Sequence, residues 1–104
     1  MPVKISNIDW NSTDALISQQ ETAINTFLST RTLTNWAATE EYVLAVFTNV
    51  APSVASKVKV FKLVDSILTN GIAATETAVN NFITGKTIRD ILYPERGIIF
   101  IIYE

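Results

Sequence analysis

Glu40 is the residue whose chemistry is hardest to place. Read on a helix over residues 35–50, its side chain projects between Leu44 and Phe47, in the middle of an apolar arc, while Glu41 points outward. A lone carboxylate in such a place must be paired, protonated or close to an opening, so Glu40 is expected to be at least half buried, with either a cationic partner, for which Lys57 is the candidate, or a raised pKa. A general acid or base needs further ionisable company, and none is visible around it. Gly85-Lys86-Thr87 repeats the end of a phosphate-binding loop. The first glycine of that motif would fall on Asn80, however, and the preceding segment reads as helix where a strand and a glycine-rich turn are required. A helix terminator followed by a Thr that caps the next turn explains the three residues better.

Lys57, Lys59 and Lys62 form the one basic cluster. On a helix, 59 and 62 share a face and 57 looks elsewhere, without the exposed aromatics that single-stranded nucleic acid would stack on. Asp90, Glu95 and Arg96 gather with Arg89 around a Pro-Gly turn, where mixed charges are ordinarily solvated. The chain contains no His and no Cys, which removes disulfides, thiol nucleophiles, the usual zinc sites and the commonest general base. No catalytic, cofactor or metal residue is therefore assigned. With 8 basic against 10 acidic residues and a net charge of -2, the balance also disfavours a nucleic-acid partner.

The elements that must position these groups are read from apolar periodicity. The 104 residues suit a single domain, 1–104. Residues 12–29 place Leu16, Ile17, Ala23, Ile24, Phe27 and Leu28 on one arc of a helix, with Ser18, Glu21, Thr22 and Asn25 opposite. Asn11, Ser12 and Thr13 are candidate caps, and Asp14 suits the first turn. A second helix, 35–50, rests on Trp36, Val43, Phe47 and Val50 and stops at Pro52. Residues 53–69 admit a β-branched strand at 58–64, but the alternation fails at Phe61. As a helix they give an apolar arc of about 220°, so a central helix over 54–68 is expected, capped by Ser53 and ended by Asn70-Gly71. A shorter helix follows at 74–84, and a helical turn at 86–92. Ile98–Tyr103, apolar at every position, reads as a strand, with residues 3–8 as its expected partner. The predicted fold is thus mainly α, a compact bundle of about four helices with a short terminal β element.

There is no apolar stretch behind the N-terminus of the kind a secretory signal needs, and the longest apolar run, Ile98–Tyr103, is far below the roughly 20 residues of a membrane-spanning helix. A cytoplasmic protein is expected, or a virion protein if the chain is viral. Its 13 Thr, 7 Ser and 8 Asn outnumber its charged residues, so the surface repels neighbours weakly and favours assembly. A strand apolar on both faces needs covering at its edges as well. Ile99, Ile101 and Tyr103 are therefore the expected contacts with another protein chain, together with Trp10, which lies outside any helix. These readings describe a non-catalytic structural or interaction protein that forms a homo-oligomer or binds a partner protein. A small phage or virus-particle component is one setting for it. A small regulator or inhibitor of one partner protein is the alternative, separable by stoichiometry.

Overall fold

A computed structural model describes residues 1–104. Along the chain lie β1 (Val3–Asn7), α1 (Asp14–Leu28), β2 (Thr32–Ala38), β3 (Tyr42–Thr48), β4 (Lys57–Lys62), α2 (Leu63–Asn70), α3 (Ile72–Ile83), β5 (Ile88–Leu92) and β6 (Ile98–Tyr103). The strands make two antiparallel sheets, ordered β1-β3-β2 and β4-β6-β5. The fold is α+β, which corrects the expectation of a mainly helical bundle.

α1 forms as its periodicity requires. The Thr13 hydroxyl caps it by accepting the Leu16 amide at 3.3 Å, and Ile17, Ile24 and Leu28 are its buried side chains. These three meet Val43 and Ala45 of β3, Val58 and Val60 of β4, and Ile98, Phe100 and Ile102 of β6 in one core. Trp10 closes that core. Its ring meets Phe100 edge to face, with centroids 5.6 Å apart, and its indole N–H donates to the Thr39 carbonyl at 3.0 Å.

The predicted helix over 35–50 is instead the β2–β3 hairpin. Val43, Ala45 and Phe47 alternate inward along β3, and the two-residue connection Glu40-Glu41 closes between Thr39 and Tyr42, whose amide and carbonyl bond at 2.8 Å. No residue of that connection takes a positive φ. It therefore lacks the Asn-Gly or Gly-X pair by which a tight hairpin is ordinarily recognised. Glu40 is consequently exposed at the tip of the hairpin, and Lys57 is exposed on β4, so the buried Glu40–Lys57 pair does not form.

The predicted central helix over 54–68 is also overturned. Its first half is β4 and only its second half, α2, is helical. Alternation fails at Phe61 because the second sheet is covered on both faces. Val58 and Val60 enter the main core, while Phe61 packs edge to face on Phe82 of α3, with centroids 5.4 Å apart. α2 ends at Gly71, whose φ of 91° and ψ of 166° suit only glycine, and α3 starts at once beyond it. The predicted helical turn at 86–92 is β5, in which Asp90 and Leu92 face the same side as Ile102 and Phe100.

β6 has the predicted bounds but a different place. It is the central strand of its sheet, hydrogen-bonded to β4 on one side and β5 on the other, while β1 pairs with β3 instead. The turn that feeds it passes through Gly97 at φ +77°, where a Cβ would come within 2.6 Å of Val64 Cγ2. Glycine there lets α2 close down on the end of β6. No helix is long and apolar enough to cross a membrane.

Candidate functional site

A concavity of about 770 Å³ lies between α1, β4 and the α2–α3 pair. Glu21 stands in it with 13% of its side chain exposed and the Lys59 ammonium 3.9 Å away. Burial pushes the Glu21 carboxyl above its ordinary value of 4.5, against the opposing pull of Lys59 and of a hydrogen bond from the Val60 backbone. Burial, and then the charge of Glu21, likewise raise the Tyr103 phenol. Lys62 pairs with Asp14 at 3.4 Å and donates to the Ser12 carbonyl. Thr75, itself buried, donates to the Gly71 carbonyl at 2.9 Å, so the Ser66 hydroxyl, 2.7 Å from it, spends its hydrogen on Thr75. Glu21, Lys59, Lys62, Ser66 and Thr75 are thus engaged with the chain around them. None forms the nucleophile and base pair that acyl or phosphoryl transfer by side chains would require.

The treatment of strand edges is more informative. β4 is an edge strand, and α1 covers its outer side with side chains one helical turn apart. Asn25 accepts the Val58 amide at 2.7 Å and donates to the Val58 carbonyl at 3.3 Å, while Glu21 accepts the Val60 amide. Helix side chains here stand in for a further strand. β2 and β5, edges of different sheets, are tied to each other. Arg89 donates to the Leu33 carbonyl at 3.0 Å and lies over the Trp36 ring, whose indole N–H donates to Asp90 at 2.7 Å. Arg89 also donates to Ser56 at 2.8 Å and pairs with Glu104 at 3.7 Å. The charges expected to be solvated at the Pro-Gly turn therefore include two that fasten the sheets together.

β1 has no such cover. Its residues with even numbers bond to β3, as the Phe47 amide with the Pro2 carbonyl and the Ile8 amide with the Glu41 carbonyl set the alternation. The amides and carbonyls of Val3, Ile5 and Asn7 then point away from the sheet, and no side chain bonds to them. Beside this edge, the outer face of the first sheet carries an exposed apolar patch bordered by Asn7 and Asn35. Val3 is 55% and Ile5 57% exposed, opposite Val46 and Leu44 of β3, with Tyr42 48% exposed on the same face. The second sheet has the reverse arrangement, its corresponding face lying under α2 and α3.

The residues expected at an interface sit elsewhere. Ile101 is fully buried, Ile99 and Trp10 nearly so, and Tyr103 packs edge to face on Phe82 with centroids 5.0 Å apart. Both edges of β6 are taken by β4 and β5, which removes the open edge from which a contact there was inferred. Lys86, from the phosphate-loop fragment, donates to the Phe82 carbonyl and lies over that ring, and Thr87 pairs with the Glu104 backbone. The exposed patch was missed although its signal was present: Val3-Lys4-Ile5-Ser6 alternates as an edge strand should. The chain matches no protein-family model, no curated protein and no solved structure.

Proposed function

We propose that this chain is a non-catalytic association protein, working in the cytoplasm or within a virus particle, that assembles with itself or with a partner protein through the open side of its first sheet. The observation that carries the reading is the contrast between edges. On β4 the amide and carbonyl of Val58 are held by Asn25, and β2 and β5 are bridged by Arg89 on the Leu33 carbonyl and by the Trp36–Asp90 bond, whereas the outward amides and carbonyls of β1 meet no side chain and lie next to exposed apolar residues. Exposed apolar surface joined to a free backbone edge is the usual template for strand addition. A second apolar spread, Leu68 and Ile72 at the α2–α3 corner, has no strand edge beside it. The interface is accordingly placed at Val3 and Ile5 rather than at Ile99, Ile101 and Tyr103.

Sedimentation equilibrium over a dilution series tests the reading. The wild-type protein is expected to exceed the monomer mass and to fall towards it on dilution. Ile5→Lys, an exposed position, is expected to keep the circular dichroism spectrum and remain monomeric throughout. A wild-type protein that is monomeric at every concentration overturns self-association, and an Ile5→Lys variant with unchanged association overturns the placement of the surface.

A further inference from the structure

We infer that the occupant of the open edge is β1 of a second copy, paired antiparallel about Ile5 on a two-fold axis. The inference rests on the association reading above and names its partner. A two-fold contact uses one surface twice, so the surface must be complementary to itself. β1 meets that condition in its backbone. Its outward groups belong to Val3, Ile5 and Asn7, spaced symmetrically about Ile5. Centred there, Ile5 exchanges both of its bonds with Ile5 of the second copy, and Val3 and Asn7 exchange theirs with each other, so every outward amide and carbonyl is satisfied.

The charges select the same register. Lys4 is the one charged residue of β1, and its ammonium lies on the inner side, 5.6 Å from the centre of the Phe27 ring. In the Ile5-centred register Lys4 stands opposite Ser6 of the other copy. Moving the pairing two residues towards the N-terminus sets Lys4 directly against Lys4 and strands Asn7, and like charges directly opposite are destabilising. Moving it two residues the other way leaves Val3 unpaired. On the outer side, Val3, Ile5, Leu44 and Val46 carry no charge that a copy of themselves would repel. The product is one continuous sheet running β2-β3-β1 in one copy and β1-β3-β2 in the other. Its two terminal strands are the β2 strands, where Arg89 of β5 holds the Leu33 carbonyl and Asp90 holds the Trp36 indole, contacts that hinder a further strand from adding there.

The absence of cysteine permits a direct test by oxidative cross-linking of single-cysteine variants. Ile5→Cys is expected to cross-link to itself, since hydrogen-bonded cross-strand neighbours lie about 5.5 Å apart at Cα, within disulfide range. Val3→Cys alone and Asn7→Cys alone are expected to remain uncross-linked, because each is displaced from its own copy by four residues, roughly 13 Å. Mixed together, they are expected to cross-link to each other. Thr77→Cys, on the exposed face of α3, serves as the collision control. Cross-linking of Val3→Cys to itself, or of all positions at the rate of the control, overturns the register. An absence of cross-links at 3, 5 and 7, together with a wild-type mass that Ile5→Lys still reduces, overturns the β1 pairing and leaves the association surface standing. Monomers throughout overturn both.

Discussion

The surroundings of Glu21 disfavour its charged form. Because burial raises its pKa in the folded protein, the fold prefers the neutral acid. The contribution of Glu21 to stability is therefore fullest below the unfolded value near 4.5 and is lost as pH rises through the raised folded value. Glu21→Gln keeps an oxygen to accept the Val60 amide and removes the charge. It is expected to raise the melting temperature near neutral pH, with the gain shrinking to nothing as pH falls well below 4.5. Differential scanning calorimetry of both proteins across that range checks the sign, and a loss of stability at neutral pH would show the Lys59 attraction to dominate. Sequence reasoning singled out the other carboxylate, Glu40, because it projected Glu40 onto a helix that does not exist. Glu21, read as lying opposite the apolar arc of α1, stands instead one turn from buried Ile17 on the side that faces β4. Periodicity identifies which side chains avoid the core; it does not reveal that a polar helix face lies along a strand edge.

At the scale of elements, α1 is an edge cover as well as a core helix. Asn25→Ala removes both partners of Val58, a buried residue, and is expected to destabilise by about 1–3 kcal/mol in chemical denaturation, the cost of unpaired backbone groups. It also frees the edge of β4, so faster aggregation is expected on warming. α1 and β6 were legible because their patterns are unmixed: one is a single arc over fifteen residues, the other an apolar run closed off by Pro94 and Gly97. The β2–β3 hairpin was not. Trp36, Val43, Phe47 and Val50 fit a helical spacing by coincidence, and the turn at Glu40-Glu41 carries no glycine, proline or asparagine to interrupt it. β4 was hidden for another reason. Strand and helix abut at Lys62–Leu63 with no punctuation, and Phe61, packed on Phe82 across the strand's second face, breaks the alternation by which strands are read.

The whole molecule is layered unequally. The first sheet, the core with α1, the second sheet and the α2–α3 pair follow one another, so helices close one side and nothing closes the other. The sequence led to the expectation of an apolar strand in need of a partner. That strand, β6, finds its partners within the chain, and the unmet requirement passes to β1, where only two apolar residues and a regular alternation marked it. The most direct test is the access of a soluble paramagnetic probe to methyl groups, measured by nuclear magnetic resonance in dilute and concentrated protein. The methyls of Val3 and Ile5 are expected to relax rapidly when dilute and to become protected on concentration, while those of Leu68 and Ile72 remain accessible in both. Protection of Leu68 and Ile72 with Val3 and Ile5 still open would place association at the α2–α3 corner and contradict the account.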